Sequence, residues 1–301
     1  MELTDTPQGS NQHWLFYGSW VALSLAIFWR PGVMLVRHAL ANDNASHILL
    51  IPFISAWLIF QKRRQILGRK SCDWGAAAIL VALAVTVYGW TLHSAAQWSL
   101  GNSLASYAVA LVFFWIAGFA FVFGREALQT NRFSMLFLFL SVPLPDALLA
   151  QAIFFLQKGS AEIAGILFDL TGVPVLRDGF IFHLSRVNIE VASECSGIHS
   201  SMALLILAVL VGHFLLRSFW KQVVFVLCGV FVMIVKNGVR IVTLTLLANY
   251  VDPGFLYGKL HHQGGIVFFL LGLLLLLPVL WLLQSGEKPR GETAEIPTTQ
   301  I

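Results

Sequence analysis

Residues 266–283 read IVFFLLGLLLLLPVLWLL, eighteen positions without one ionisable side chain. That length and character match the roughly 20 apolar residues a helix needs to cross the hydrocarbon core of a bilayer. Similar apolar segments precede it at 222–250, 198–216, 133–156, 103–123, 74–92 and 44–60, and the run from Trp14 to Trp29 makes an eighth. The 301 residues are 57% hydrophobic and only 11% charged, outside the balance of a soluble domain. The expected fold is therefore all-α: a polytopic membrane helical bundle of about eight transmembrane helices.

Several segments carry interruptions. Pro52 is expected to break the second, and Pro143, Pro145 and Asp146 the fifth, because proline releases a backbone carbonyl that neighbouring groups must satisfy. The seventh contains Lys236, Asn237, Gly238 and Arg240, so it reads either as one long span or as two short pieces. Basic residues set the orientation. Lys62, Arg63, Arg64, Arg69 and Lys70 follow segment two; Arg125 and Arg132 follow four; Arg217 and Lys221 follow six; Lys288 and Arg290 follow eight. All fall on one side of an eight-span chain, which predicts both termini in the cytoplasm and outer connections around 30–43, 93–102, 157–197 and 251–265. Arg30 and Arg37 oppose this weakly.

Residues 1–13 are polar and lack the basic region of a signal peptide. They read as a cytoplasmic N-terminus, 14–283 as one transmembrane domain and 284–301 as a disordered cytoplasmic tail. The connection 157–197 is patterned: Ile163, Ile166, Leu167 and Leu170 recur at helical spacing along the membrane surface, and 179–191 alternates as a short strand or hairpin should. A formal net charge of +4 is explained by the cytoplasmic face, so no nucleic-acid partner is expected; membrane lipids are. Three cysteines, at 72, 195 and 228, do not make a disulfide scaffold. No phosphate loop, dinucleotide fingerprint or zinc-binding H-E-x-x-H is present, so neither cofactor nor metal is expected.

Three polar islands interrupt this apolar chain. SECSGIHSS (193–201) stands at the start of segment six, where free backbone N–H groups and the helix dipole would favour a Cys195 thiolate and stabilise an oxyanion. Ser193, Ser196 and Ser200 would cap that helix, and Gly197 would admit a substrate backbone; the alternative is a cysteine packed in a small-residue face. KNGVR (236–240) puts Asn237 and Arg240 three apart, on one helix face, either to meet an anionic group or to close a helix break. Lys236 would point partly away and snorkel. HHQGG (261–265) offers His261 and His262 for proton transfer or for capping helix eight. His199, four residues after Cys195, competes for that role, while His183 has no local nucleophile. Glu190 and Glu194 would orient a histidine or engage Arg240, or simply face water.

ECSGI (194–198), NGVR (237–240) and HHQGGIVFF (261–269), with SHILLIPFISAWLIFQKRR (46–64), SVPLPDALL (141–149) and GVPVLRDGFIFHL (172–184), resemble the exosortase/archaeosortase family of membrane cysteine transpeptidases. The likeness runs over about 14–283. It implies a bacterial inner-membrane enzyme acting on exported proteins that carry a C-terminal tripartite sorting signal of the PEP-CTERM kind, and passing them to an unidentified cell-envelope acceptor, often where exopolysaccharide is made. Carried over by motif, Cys195 resembles the nucleophile, Arg240 the arginine beside the reacting group and His261 the family histidine, with His262 the neighbouring register. His199 replaces the arginine common after Gly-Ile. A non-enzymatic transporter or assembly component for envelope polymers is the alternative, with Arg240 lining a polar pathway and Cys195 merely packed.

Overall fold

A computed structural model describes residues 8–42, 45–67, 72–191, 198–256 and 265–286. In chain order these form α1 (Gln8–Ile27), α2 (Trp29–Ala41), α3 (His47–Gln61), α4 (Arg63–Leu67), α5 (Trp74–Ser94), α6 (Leu100–Thr130) and α7 (Arg132–Phe137). A 3-10 turn at Leu138–Ser141 leads to α8 (Asp146–Thr171), then β1 (Leu176–Asp178), β2 (Ile181–His183) and β3 (Asn188–Glu190). After them come α9 (Ile198–Leu215), α10 (Phe219–Tyr250), a second 3-10 turn and α11 (Gly265–Ser285). The chain is an all-α polytopic membrane protein. It divides into two compact units, Met1–Ala150 and Gln151–Ile301.

All eight apolar segments are helical, but they do not cross equally. Among the described residues α5, α6, α10 and α11 are long and apolar enough to span; counting α1 with α2, and α7 with α8, as bent spans gives six. α3 and α9 are shorter. The 15 residues of α3 rise only about 22 Å, less than the ~30 Å of a hydrocarbon core.

Three expectations change, and one open alternative is decided. The first segment does not end at Trp29: the chain turns by 84° beyond Ile27 and continues as α2. Pro31 falls in α2's first turn, where no intrahelical N–H is needed. Pro52 does not break its segment, because it is the sixth residue of α3 and disturbs only the carbonyl of Ile48 near the helix start. The seventh segment is one uninterrupted helix of 32 residues, not two pieces. Finally, α8 runs straight through 157, and its buried stripe is Leu156, Ser160, Ala161, Ala164 and Phe168, while Ile166 and Leu170 are exposed. Large apolar side chains gain nothing by leaving lipid, whereas small ones let another backbone approach. The break expected at Pro143 and Pro145 is present, and α8 restarts with the Asp146 N–H donating to Asn102 Oδ1 at 2.9 Å.

In the first unit α1 lies on α6 through aromatic rings. Phe119, fully buried, sits 4.8 Å from Phe123 and 5.6 Å from Tyr17, centroid to centroid. Trp20 covers Gly118, where a Cβ would collide with the indole, and its Nε1 donates to the Phe114 carbonyl at 2.9 Å.

In the second unit the expected hairpin at 179–191 is present as β2 and β3, with Phe182 opposite Ile189. β1, not foreseen, adds a third antiparallel strand through a turn at Gly179, whose φ of +58° suits glycine. Arg177 of β1 clasps Glu162 of α8 with both terminal nitrogens, at 2.8 and 3.0 Å. That pairing holds the guanidinium further above its already high pKa. Phe182 and Val191 are buried with Phe168 of α8 and with Ile241 and Val242 of α10, so the sheet is mounted on the second half of α10.

Candidate active site

α10 organises the site. At 1.5 Å per residue its 32 residues extend about 48 Å. Lys236 stands roughly 26 Å and Arg240 roughly 32 Å from its first residue. With Phe219 at one face of a ~30 Å hydrocarbon core, Arg240 reaches the other face.

The neighbouring helices are aligned at that same end. A three-residue turn joins α9 to α10, with Gln222 Nε2 donating to the Leu216 carbonyl at 2.8 Å, so the two run antiparallel. Lys221 Nζ, near the start of α10, donates to the Leu283 carbonyl near the end of α11 at 2.7 Å. The first residues of α9 and of α11 therefore lie at the end of the bundle toward which the second half of α10 points.

Lys236 ties these three helices together. It is 1% exposed, and its Nζ donates to Ser200 Oγ in the first turn of α9 at 2.6 Å. Its stem passes the backbone of Gly272 in α11, where an added Cβ would stand 3.3 Å from Lys236 Cδ and 3.2 Å from Leu204. Burying an ammonium is expensive unless it is hydrogen-bonded, so this lysine is not snorkelling. Its inward course corrects the expectation that it points partly away. Next to Ser200, the hydroxyl of Ser201 is buried and makes no hydrogen bond among the described residues.

Asn237 and Arg240 have different roles on α10. Asn237, 1% exposed, donates through Nδ2 to Ser160 Oγ of α8 at 3.0 Å, a bond between two spanning-type helices. One residue on, a Cβ at Gly238 would come within 2.5 Å of Ile163 Cγ2 and 3.3 Å of the Ala164 backbone nitrogen. Only glycine permits α8 and α10 to come this close. Arg240 is half-buried and stands four residues after Lys236, on the same face of α10. Further along, Asn249 Oδ1 accepts from the Arg186 N–H at 3.1 Å, fastening the β2–β3 loop to the end of the helix.

The family model of the transmembrane exosortases matches residues 37–278, about four-fifths of the chain. The chain belongs to the transmembrane exosortase family. No curated protein and no solved structure matches it. The match takes in all of α3 to α10 and most of α11, and so every element around Lys236.

Of the residues singled out from the sequence, Asn237 and Arg240 are placed as described, and their shared helix is unbroken. Cys195 and Glu194 precede α9, and His261 and His262 precede α11; all four lie outside the described residues, as do Ser193, Ser196 and Gly197. His199 belongs to the first turn of α9, with its side chain outside the description. His183 sits in β2 with Nδ1 3.1 Å from Asn188 Oδ1, a cross-strand partner. Glu190 is exposed on β3. Sequence reasoning singled out Lys236 but turned it the wrong way, and it missed Ser160. The signal for Ser160 was the run of small residues on α8, Gly159 to Ala161 and then Ala164 and Gly165, which marks a close helix contact.

Proposed function

We propose that this exosortase-family protein is a cysteine protease/transpeptidase of the bacterial inner membrane, with residues 14–283 as the catalytic domain. It cleaves the C-terminal sorting signal of exported proteins at the periplasmic face and transfers them to a cell-envelope acceptor. Both termini are cytoplasmic. The observation that carries this proposal is the alignment of the starts of α9 and α11 with the second half of α10. Cys195 stands three residues before α9, His261 four residues before α11, and Arg240 on α10.

Cys195 attacks the substrate carbonyl, forming a thioester, while His261, or His262 in the neighbouring register, protonates the departing amine. Arg240 and the free N–H groups at the α9 start stabilise the negative charge of the intermediate. An acceptor nucleophile then releases the acyl group. Lys236 touches no reacting atom in this scheme; it is a positioning residue, holding through Ser200 the turn that follows Cys195.

One observation favours a different nucleophile: the 2.6 Å bond from Lys236 Nζ to Ser200 Oγ is the pairing of a Ser–Lys dyad. Processing of a sorting-signal substrate in cells separates the two. Cys195→Ala is expected to abolish cleavage at unchanged protein level, Arg240→Ala and His261→Ala to reduce it severely, and a thioester to be trapped on Cys195. Normal processing by Cys195→Ala together with loss in Ser200→Ala would transfer the chemistry to the serine.

A further inference from the structure

Within the first unit, α1, α2, α3 and α6 enclose a half-open cleft of about 560 Å³. Its walls are apolar, with Phe28, Trp29, Val33, Phe53, Leu111 and Trp115 among them. The two hydroxyls that reach it are already engaged. Ser24 Oγ donates to the Val21 carbonyl and accepts from Trp115 Nε1 at 2.7 Å, and Ser141 Oγ donates to the Leu138 carbonyl at 2.6 Å. Within the cleft, apart from Arg37, an occupant is held by apolar contact. One ionisable side chain lines it: Arg37, exposed, with no hydrogen bond or ion pair to a described residue.

The 84° turn between α1 and α2 gives the cleft its depth. An α1 standing along the bilayer normal would put α2 nearly in the membrane plane, where Trp29, Arg30 and Arg37 suit an interfacial helix. The space beneath it is at the boundary between headgroups and acyl chains. Size limits the occupant. A spanning helix, about 10 Å across and ~30 Å long, displaces roughly 2,400 Å³ and does not fit. A methylene takes about the room of a water, roughly 30 Å³, so the cleft accommodates one chain of about 18 carbons. We propose that this cleft binds one acyl chain of an anionic membrane phospholipid, with the lipid phosphate on Arg37. The cleft is lined by residues of the first unit, and none of its lining residues belongs to α8, α9, α10 or α11.

The test uses the full-length protein in phosphatidylcholine nanodiscs containing a small fraction of phosphatidylglycerol with a diazirine on one acyl chain. After irradiation, cross-linked peptides are expected to concentrate on 28–37, 48–53 and 108–115, several-fold above those of the lipid-facing side of α11 around Leu270 and Leu274. Gly32 lines the cleft and an added Cβ there meets nothing within 4 Å, so Gly32→Leu adds bulk at the cleft wall and should lower those yields several-fold. Val33→Phe fills the same space and serves if Gly32→Leu melts early. Arg37→Gln should erase the preference for labelled phosphatidylglycerol over identically labelled phosphatidylcholine while leaving the chain contacts. Equal labelling of the cleft and α11, or yields indifferent to both filling variants, would overturn the proposal.

Discussion

The two units bury polar side chains in different ways. In the first, several buried hydroxyls and amides close onto a backbone carbonyl: Ser55 onto Ser134, Thr91 onto Val87, Asn131 onto Ala127 and Ser141 onto Leu138. Three of these four bonds stay within one turn of their own helix. In the second, Thr245 does the same with Ile241, but Lys236 and Asn237 reach side chains of other helices, Ser200 and Ser160. Bonds of the first kind satisfy a polar group and specify little. Those of the second fix which helices meet and at what height, and they are found around the candidate site. Aromatic packing supports one unit, and hydrogen-bonded registration aligns the other.

Substitutions test that contrast. Phe119→Ala removes a fully buried ring from the first unit and should cost about 3–5 kcal/mol of stability, while processing per folded molecule stays near wild type; detergent unfolding curves beside normalised processing assays read both. Gly238→Val forces apart α8 and α10, with an expected loss of roughly 1–3 kcal/mol, and here processing should fall with stability. Lys236→Met should shift stability by no more than about 1 kcal/mol, since removal of a desolvated cation offsets the lost hydrogen bond. Processing should nevertheless drop at least about tenfold, the equivalent of ~1.4 kcal/mol in the transition state, as the α9 start loosens. Unchanged processing would remove Lys236 from the site. Smallest of all, Glu162→Gln loosens a largely exposed ion pair and should move the midpoint by less than about 1 kcal/mol.

Much of the fold was legible because apolar run length is a direct physical requirement of the bilayer. Proline positions were a poorer guide: Pro143 and Pro145 do interrupt their segment, yet Pro52 sits so near a helix start that little is displaced. The turn at Phe28 was invisible, since Trp29 continues an apolar run whether the helix goes straight or bends. In the site, the spacing of Asn237 and Arg240 was readable from helical periodicity alone. Partners on other helices were not: nothing local to Lys236 announces Ser200, thirty-six residues earlier, and nothing local to Asn237 announces Ser160. Periodicity reports which face a residue occupies, whereas the partner depends on which helix that face meets.

The length of α10 has a consequence for substrate selection. A helix of about 48 Å would need a tilt of some 50° to fit within ~30 Å of hydrocarbon, beyond the usual range, so with Phe219 at one face its last turns would stand clear of the other. Those turns carry the small sheet, and in that placement Arg240 would come close to the lipid boundary. On the proposed function the helix would then act as a gauge. A peptide anchored by its own spanning segment reaches Arg240 only if its scissile bond lies within a few residues of that anchor, since five extended residues already add about 17 Å. Selection by such a protein would rest on distance from the bilayer as much as on the side chains of the motif.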